Sequence, residues 1–140
     1  MTMLGRLLLF SLLLSAAACG SDTPATPTTT TSSGPYSQTD IVVGTGTTAV
    51  ATSQVTVSYA GWLYDTSKTD GKGLQFDSSP SATLLLSGVI AGWQRGVPGM
   101  KVGGQRRLII PPDLAYGSAG RGTIPPNATL VFDIGLLGVQ

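Results

Sequence analysis

The clearest pattern along the chain is the alternation of apolar and polar residues, which has the period of a β-strand. In "SQVTVSYAGWL" (53–63), one face carries Val55, Val57 and Tyr59, and the other carries Thr56, Ser58 and Ala60. "GGQRRLIIPP" (103–112) alternates less regularly and stops at Pro111, because proline cannot continue a strand ladder. In "ATLVFDIGLLGV" (128–139), one face is apolar and consists of Leu130, Phe132, Ile134 and Leu136. We predict three strands that each bury one face.

The segments between the first two of these strands predict a hairpin loop and two shorter strands. "YDTSKTDGKGLQ" (64–75) is almost entirely polar and is typical of a long hairpin loop. "LQFDSS" (74–79) has the pattern of a short strand, and "ATLLLSG" (82–88) that of a further short apolar strand. We therefore expect two separate strands here.

A single short helix is predicted after these strands. Ile90, Trp93 and Val97 have helical spacing, and Pro98 and Gly99 end the segment. The elements together predict an α+β domain, in which a mostly antiparallel sheet wraps over one short α-helix.

The first 19 residues have the pattern of an export signal. Arg6 precedes the apolar run "LLLFSLLLSAAA", which is too short for a transmembrane helix. Ala16 and Ala18 fit a cleavage site that leaves Cys19 at the new N-terminus. "SAAAC" also resembles the lipobox of bacterial lipoproteins, in which Cys19 is lipidated and becomes the first residue. We favour the lipoprotein, because it accounts for the position of the only cysteine, and keep a soluble exported protein as the alternative.

Composition divides the remaining chain into two parts. Residues 20–39, "GSDTPATPTTTTSSGPYSQT", contain almost nothing apolar and predict a flexible Thr/Ser/Pro-rich tether. From Asp40 the composition changes, and residues 40–140 are long enough for one small folded domain.

The composition excludes several kinds of chemistry. The chain has 140 residues, no histidine and one cysteine, and its seven acidic residues are all aspartates. Without histidine, neither a Ser-His-Asp nor a Cys-His site can be built, and few ligands remain for a metal. The formal net charge is +1, and no basic stripe favours nucleic acid. The pair Arg106–Arg107 lies in a predicted strand and is expected to leave one cation exposed.

Five aromatic residues come from five different segments of the predicted domain. They are Tyr59, Phe76, Trp93, Tyr116 and Phe132. By themselves they fit an ordinary aromatic core, since a core of this size needs large side chains. The segments that carry them occur in the order found in the FKBP-type peptidyl-prolyl cis-trans isomerases: "VSYAGWL", "FDSS", "VIAGW", "PPDLAYG" and "IPPNATLVFDIGLL". The chain from about residue 40 to 140 resembles this family, whose fold is a twisted antiparallel sheet of five or six strands curled around one short helix.

The resemblance implies an apolar pocket between the helix and the sheet. The catalytic positions that it implies are Tyr59, Phe76, Asp77, Trp93, Tyr116 and Phe132. The substrate-binding positions that it implies are Val89, Ile90 and Ile124. Trp93 would form the floor, Tyr116 would offer its hydroxyl to a substrate carbonyl, and the loop 117–123 would cover the cleft. Rotation about a peptide bond breaks no covalent bond, so no metal and no cofactor is expected.

Three departures from the family pattern are visible. The chain is several residues shorter between Ser79 and Leu84, where the family carries a further aromatic residue and often an arginine that pairs with the FDSS aspartate. The flap after Tyr116 is about one residue short, and the loop between Tyr59 and Phe76 is long. We expect a pocket that is more open on one side, with Asp77 paired to a backbone donor or to the Tyr59 hydroxyl.

The sequence thus predicts a membrane-tethered, exported isomerase that assists folding of other exported proteins. The expected partners are proline-containing polypeptides, with tacrolimus-like macrocycles as inhibitors, and the expected state is a monomer that contacts the membrane through its lipid anchor only. Two alternatives stay open: a module that binds proline-containing segments with little turnover, and a surface interaction lipoprotein.

Overall fold

The computed structural model describes residues 35–140. The predicted export signal, Cys19 and the tether up to residue 34 lie outside the described residues. The strands are β1 (Ser37–Val42), β2 (Gln54–Tyr64), β3 (Lys72–Leu85), β4 (Gln105–Ile110) and β5 (Leu130–Val139). The helix α1 spans Ala91–Gly96, and single 3₁₀ turns span Leu86–Gly88 and Pro112–Leu114.

The five strands form one antiparallel sheet in the order β1-β4-β5-β2-β3. The three strands predicted from alternation correspond to β2, β4 and β5, and their apolar faces are buried. Val55, Val57 and Leu108 have no exposed surface, and Phe132 and Ile134 are almost completely buried. The predicted α+β architecture with one short helix is confirmed.

Helix α1 lies close to β4 because two of its residues have no side chain. A Cβ atom at Gly92 would come within 2.4 Å of the Ile110 side chain, and one at Gly96 within 2.5 Å of Leu108. Helix and strand therefore pack at a distance that only glycine allows. The helix begins after Ile90 and ends before Pro98, as its sequence predicts.

Strand β3 is one continuous strand, whereas the sequence predicts two short ones. Pro80 lies inside it, and the register shifts between the pairs Val57–Ala82 and Tyr59–Ser79. The extra residue forms a bulge, and β3 is the edge of the sheet, so the missing N–H of Pro80 interrupts little of the ladder. The prediction of two separate strands is wrong for this reason.

Strand β1 begins at Ser37, so its first three residues belong to the predicted tether. Its backbone pairs with β4 from Ser37–Ile109 onwards. Tyr36 donates a hydrogen bond to the carbonyl of Gly92 at 3.3 Å, and the Arg95 guanidinium lies 4.6 Å from the centre of its ring. The ordered domain therefore includes residues that the composition assigns to the tether.

Neither member of the predicted basic pair is an isolated surface cation. Arg106 is buried, forms an ion pair with Asp40 and donates to the carbonyl of Gly96 at 2.7 Å. Arg107 binds both carboxylate oxygens of Asp133, at 2.7 and 2.9 Å. The predicted strand is confirmed, but the prediction that one of the two cations is exposed is wrong.

The described part of the chain has neither a membrane-spanning helix nor a cluster of metal-ligating side chains. Between residues 35 and 140, no helix combines the length and the apolar character needed to cross a membrane. The same residues hold no group of three side chains of the kinds that ligate metal ions.

Candidate active site

A cavity of about 510 Å³ opens between helix α1, the sheet and the loop after Tyr116. All nine predicted site residues line it. They are Tyr59, Phe76, Asp77, Val89, Ile90, Trp93, Tyr116, Ile124 and Phe132. Strands β2, β3 and β5, the helix and two loops each contribute to this set, so the site exists only in the folded chain.

Four aromatic rings form the floor and walls of the cavity. The Phe132 ring lies 5.3 Å from Trp93, 5.5 Å from Phe76 and 6.4 Å from Tyr59, measured between ring centres. Tyr59 and Trp93 are 5.3 Å apart with their planes at 83°. Edge-to-face contacts of this kind are favourable for aromatic pairs and fix each ring relative to the others. The pocket is therefore rigid and apolar at its base.

Phe76 and Asp77 both face the cavity although they are neighbours on one strand. In a regular strand they would point to opposite faces. Here Gly61 pairs with Asp77 and Trp62 pairs with Gln75, so Phe76 is the extra residue of a β-bulge. The bulge turns both side chains toward the pocket.

Asp77 accepts a hydrogen bond from the Tyr59 hydroxyl at 2.8 Å. This is one of the two partners that the sequence predicts in the absence of the usual arginine. Burial, with the hydrogen bond to Asp77 and its negative charge, raises the pKa of Tyr59 to about 12. The phenol thus keeps its proton at neutral pH and continues to donate to Asp77.

The loop between Tyr116 and Ile124 closes one side of the cavity. Gly117, Gly120 and Gly122 have φ of 57°, 66° and 54°, a conformation that favours glycine. Arg121 and Ile124 form an isolated bridge, which makes the tip of the loop a small closed turn. The result is that Ile124 is 93% buried, since its exposed fraction is 7%, while the tip itself is exposed.

Five lining residues were not predicted as site residues. They are Leu84, Gly88, Arg121, Gly122 and Thr123. Leu84 lies on β3 beyond the shortened segment and supplies apolar surface in the absence of a further aromatic residue. The Arg121 guanidinium lies 5.6 Å from the centre of the Tyr116 ring. Arg121 could have been identified as the only cation in the glycine-rich loop.

Comparison with known proteins agrees with this geometry. Residues 45–137 match the family described as FKBP-type peptidyl-prolyl cis-trans isomerase. A probable FK506-binding protein of Corynebacterium glutamicum is 46% identical over 102 residues, which cover 70% of this chain and 81% of that protein. An FK506-binding protein of Neisseria meningitidis serogroup A is 44% identical over 107 residues, covering 71% of this chain and 92% of that protein.

Solved structures show the same fold. The crystal structure of FkpA from Escherichia coli is 41% identical with a TM-score of 0.65, and the match covers 75% of this chain and 48% of that one. The crystal structure of AtFKBP13 is 36% identical with a TM-score of 0.63, and the match covers 75% of this chain and 93% of that one. Given the matched family segment, these relatives and the aromatic pocket, this chain belongs to the FKBP-type peptidyl-prolyl cis-trans isomerases.

Proposed function

We propose that the chain is an exported, lipid-anchored isomerase that accelerates rotation about X-Pro bonds in other exported proteins. The observation that carries the catalytic part of this proposal is the convergence of nine predicted residues on one aromatic cavity. The export and anchor rest on the pattern of residues 1–19 alone.

Catalysis of rotation about an X-Pro bond requires an apolar pocket whose shape fits the substrate. Rotation about a peptide bond faces a barrier of about 18–20 kcal/mol, and X-Pro bonds exchange over roughly tens to hundreds of seconds. The twisted transition state has lost amide resonance, so its carbonyl is less polar than that of the planar ground state. Water therefore stabilises the ground state more, and a pocket that removes water lowers the barrier, by a factor of ten in rate for each ~1.4 kcal/mol.

Each pocket residue has a role that follows from its position. The rings of Phe76, Trp93 and Phe132 surround the proline and exclude water. The Tyr116 hydroxyl, which has no hydrogen-bond partner between residues 35 and 140, donates to a substrate carbonyl. The N–H of Ile90 has no partner in the same part of the chain and provides a second donor at the rim. Asp77 acts by holding Tyr59 in place rather than by transferring a proton.

An assay of proline isomerisation tests the proposed activity. The full chain should accelerate cis-to-trans exchange of an X-Pro tetrapeptide, and the rate should stay nearly constant from about pH 6 to 8, since no step needs a proton. A macrocycle of the FK506 type should inhibit by occupying the same cavity. Binding of the peptide without acceleration would instead support the module that holds proline-containing segments.

The lipid anchor is tested separately. Cys19→Ser should release the chain from membranes into the aqueous fraction, because it removes the site at which acyl chains would be attached. The isomerase activity of the released protein should be unchanged, which shows that the folded domain is intact. Equal partition of the wild type and Cys19→Ser into the aqueous fraction would contradict the anchor and leave a soluble exported protein.

A further inference from the structure

A second cavity, of about 520 Å³, lies at the loop end of the β2–β3 hairpin, next to the isomerase pocket. We call it the hairpin groove. Its apolar lining consists of Leu63, Tyr64, Leu74, Pro125, Pro126 and Ala128. Its volume is similar to that of the isomerase pocket, and the proposed catalytic mechanism does not use it.

The long loop of the sequence builds one wall of this groove. Residues 65–71 connect β2 to β3 and are held in one shape by local hydrogen bonds. The Asp65 carboxylate accepts from the backbone N–H of Ser67 at 2.9 Å and from its hydroxyl at 2.6 Å. The N–H of Asp65 donates to the carbonyl of Gly71 at 2.9 Å. This wall is therefore preformed.

The opposite wall of the groove is formed by residues that come directly after a pocket residue in the sequence. Ile124 lines the pocket, and the next residue, Pro125, lines the groove. The N–H of Asn127 donates to the carbonyl of Gly117 at 2.8 Å, which holds the Pro125–Asn127 turn against the base of the flap. On β3, Phe76 lines the pocket and Leu74 the groove, and two strand positions span only about 7 Å. The two cavities are thus adjacent along both walls.

Leu74 is part of an exposed apolar patch in the groove. Its exposed fraction is 68%, and Pro125 and Pro126 of the same lining are also exposed. An exposed apolar patch beside a binding pocket is typical of an interaction site. Unfolded polypeptides are the partners that offer extended apolar segments, and they are also the proposed substrates of the pocket.

We propose that the hairpin groove binds an extended apolar segment of the same polypeptide whose proline occupies the isomerase pocket. This inference rests on the proposed isomerase function. Client residues more than two positions from the proline reach the groove, since two strand positions separate Phe76 of the pocket from Leu74 of the groove and an extended chain advances about 3.3 Å per residue. The groove raises the affinity for unfolded proteins and leaves the turnover of a bound proline unchanged.

The experiment compares a short and a long substrate in the full chain. Leu74→Ser should raise KM about fivefold to tenfold in the proline-limited refolding of an unfolded protein, because it removes apolar contact area. The kcat for that substrate should change less than about twofold, and so should kcat/KM for an X-Pro tetrapeptide, which fills the pocket alone. Extending the tetrapeptide with apolar residues should lower KM for the wild type and not for Leu74→Ser.

Leu137→Ser is the matched control. Leu137 is 50% exposed on β5 and lines neither cavity, so its loss should leave both substrates unaffected. An unchanged KM for the unfolded protein in Leu74→Ser, or an equal increase in Leu137→Ser, would overturn the groove as a client site. Absence of catalysis on the tetrapeptide by the wild type would instead contradict the isomerase function itself, so the two failures are distinguishable.

Discussion

Phe132 is the residue that connects the aromatic cluster. It contacts the rings of Tyr59, Phe76 and Trp93, and only 4% of its surface is exposed. It lies on β5 between the core strands and the cavity, so the same side chain belongs to the hydrophobic core and to the candidate site. Its replacement is therefore expected to affect both stability and turnover.

If the pocket works by desolvation, removing aromatic area should cost more activity than removing a polar group. Phe132→Leu should lower kcat/KM for a tetrapeptide by at least about tenfold, because water reaches the twisted amide. Tyr116→Phe keeps the ring and removes one hydrogen bond worth about 0.5–1.5 kcal/mol, so it should lower kcat/KM by roughly twofold to tenfold. The two variants are compared in the same proline-isomerisation assay.

The leucine variant is chosen because a larger truncation endangers the fold. Phe132→Ala in a buried position is expected to cost roughly 3–5 kcal/mol of the free energy of unfolding. Circular dichroism spectra that match the wild type should precede any kinetic conclusion. Full activity in a folded Phe132→Leu, together with inactive Tyr116→Phe, would contradict catalysis by desolvation.

At the scale of elements, the contact between α1 and β4 depends on Gly92. Alanine in a helix is usually more favourable than glycine by roughly 0.5–1 kcal/mol. At this position its Cβ would meet the Ile110 side chain at 2.4 Å, a distance that requires the Ile110 side chain, the helix or the strand to shift. Overpacking of this kind typically costs 1–3 kcal/mol.

We therefore expect Gly92→Ala to lower the free energy of unfolding by about 1–2 kcal/mol in urea denaturation. Because Trp93 follows Gly92 directly, tryptophan fluorescence of the native state should also change. Gly88→Ala is the matched control, since no atom lies within 4 Å of a Cβ at that position. A higher free energy of unfolding for Gly92→Ala than for the wild type would mean that the packing of α1 does not depend on the close approach of Gly92 to Ile110.

At the scale of the whole molecule, one group of charges extends across the sheet from β4 to β3. Asp133 on β5 binds Arg107 on β4 and, at 2.6 Å, Lys72 on β3. Burial by itself would raise the pKa of Asp133, but hydrogen bonds from Arg107 and Lys72, with their charges, lower it below the usual value of 3.8. The carboxylate is thus stabilised in its charged form by residues from two other strands.

Because the pKa of Asp133 is lowered in the folded chain, the free energy of unfolding decreases as the pH falls. The contribution of Asp133 is fully present above its unfolded pKa of 3.8 and is lost as the pH falls through the lower folded value. Asp133→Asn should lower stability at pH 7 and should show a smaller decrease than the wild type between pH 5 and pH 2. Urea unfolding at a series of pH values measures both effects.

Asp113→Asn provides the comparison for this prediction. Asp113 is an exposed acidic residue that lies in the 3₁₀ turn after β4, away from the charges around Asp133. Its replacement should leave the pH dependence close to that of the wild type. A wild-type stability that does not change between pH 5 and pH 2 would show that the Asp133 group contributes nothing.

The structure departs from the sequence predictions at β1 and at β3, and both departures occur because these are the edge strands of the sheet. An edge strand pairs on one side only, and β1 exposes nearly all of its side chains, so it needs no apolar alternation. For the same reason β3 tolerates Pro80 and continues through the region for which the sequence predicts two separate strands. Patterns of hydrophobicity report burial, and strands that bury little give no such pattern.

Local patterns in the sequence predict the strands that bury an apolar face and the short helix, and its motifs carry the family resemblance. Alternation and helical spacing are local, and each follows from the requirement that one face of an element meets the core. The same residues that carry the resemblance also line one cavity in the folded chain, which is why the site residues could be named in advance.

Contacts between residues that are distant in the sequence become visible in the folded chain alone. The sequence predicts two possible hydrogen-bond partners for Asp77, a backbone donor and the Tyr59 hydroxyl. The contact with Tyr59 follows from the β-bulge at Phe76. The burial of Arg106 depends on Asp40, which is 66 residues away. The hairpin groove needs the long β2–β3 loop to lie beside Pro125. Such contacts join residues distant in sequence, and no local pattern of polarity contains them.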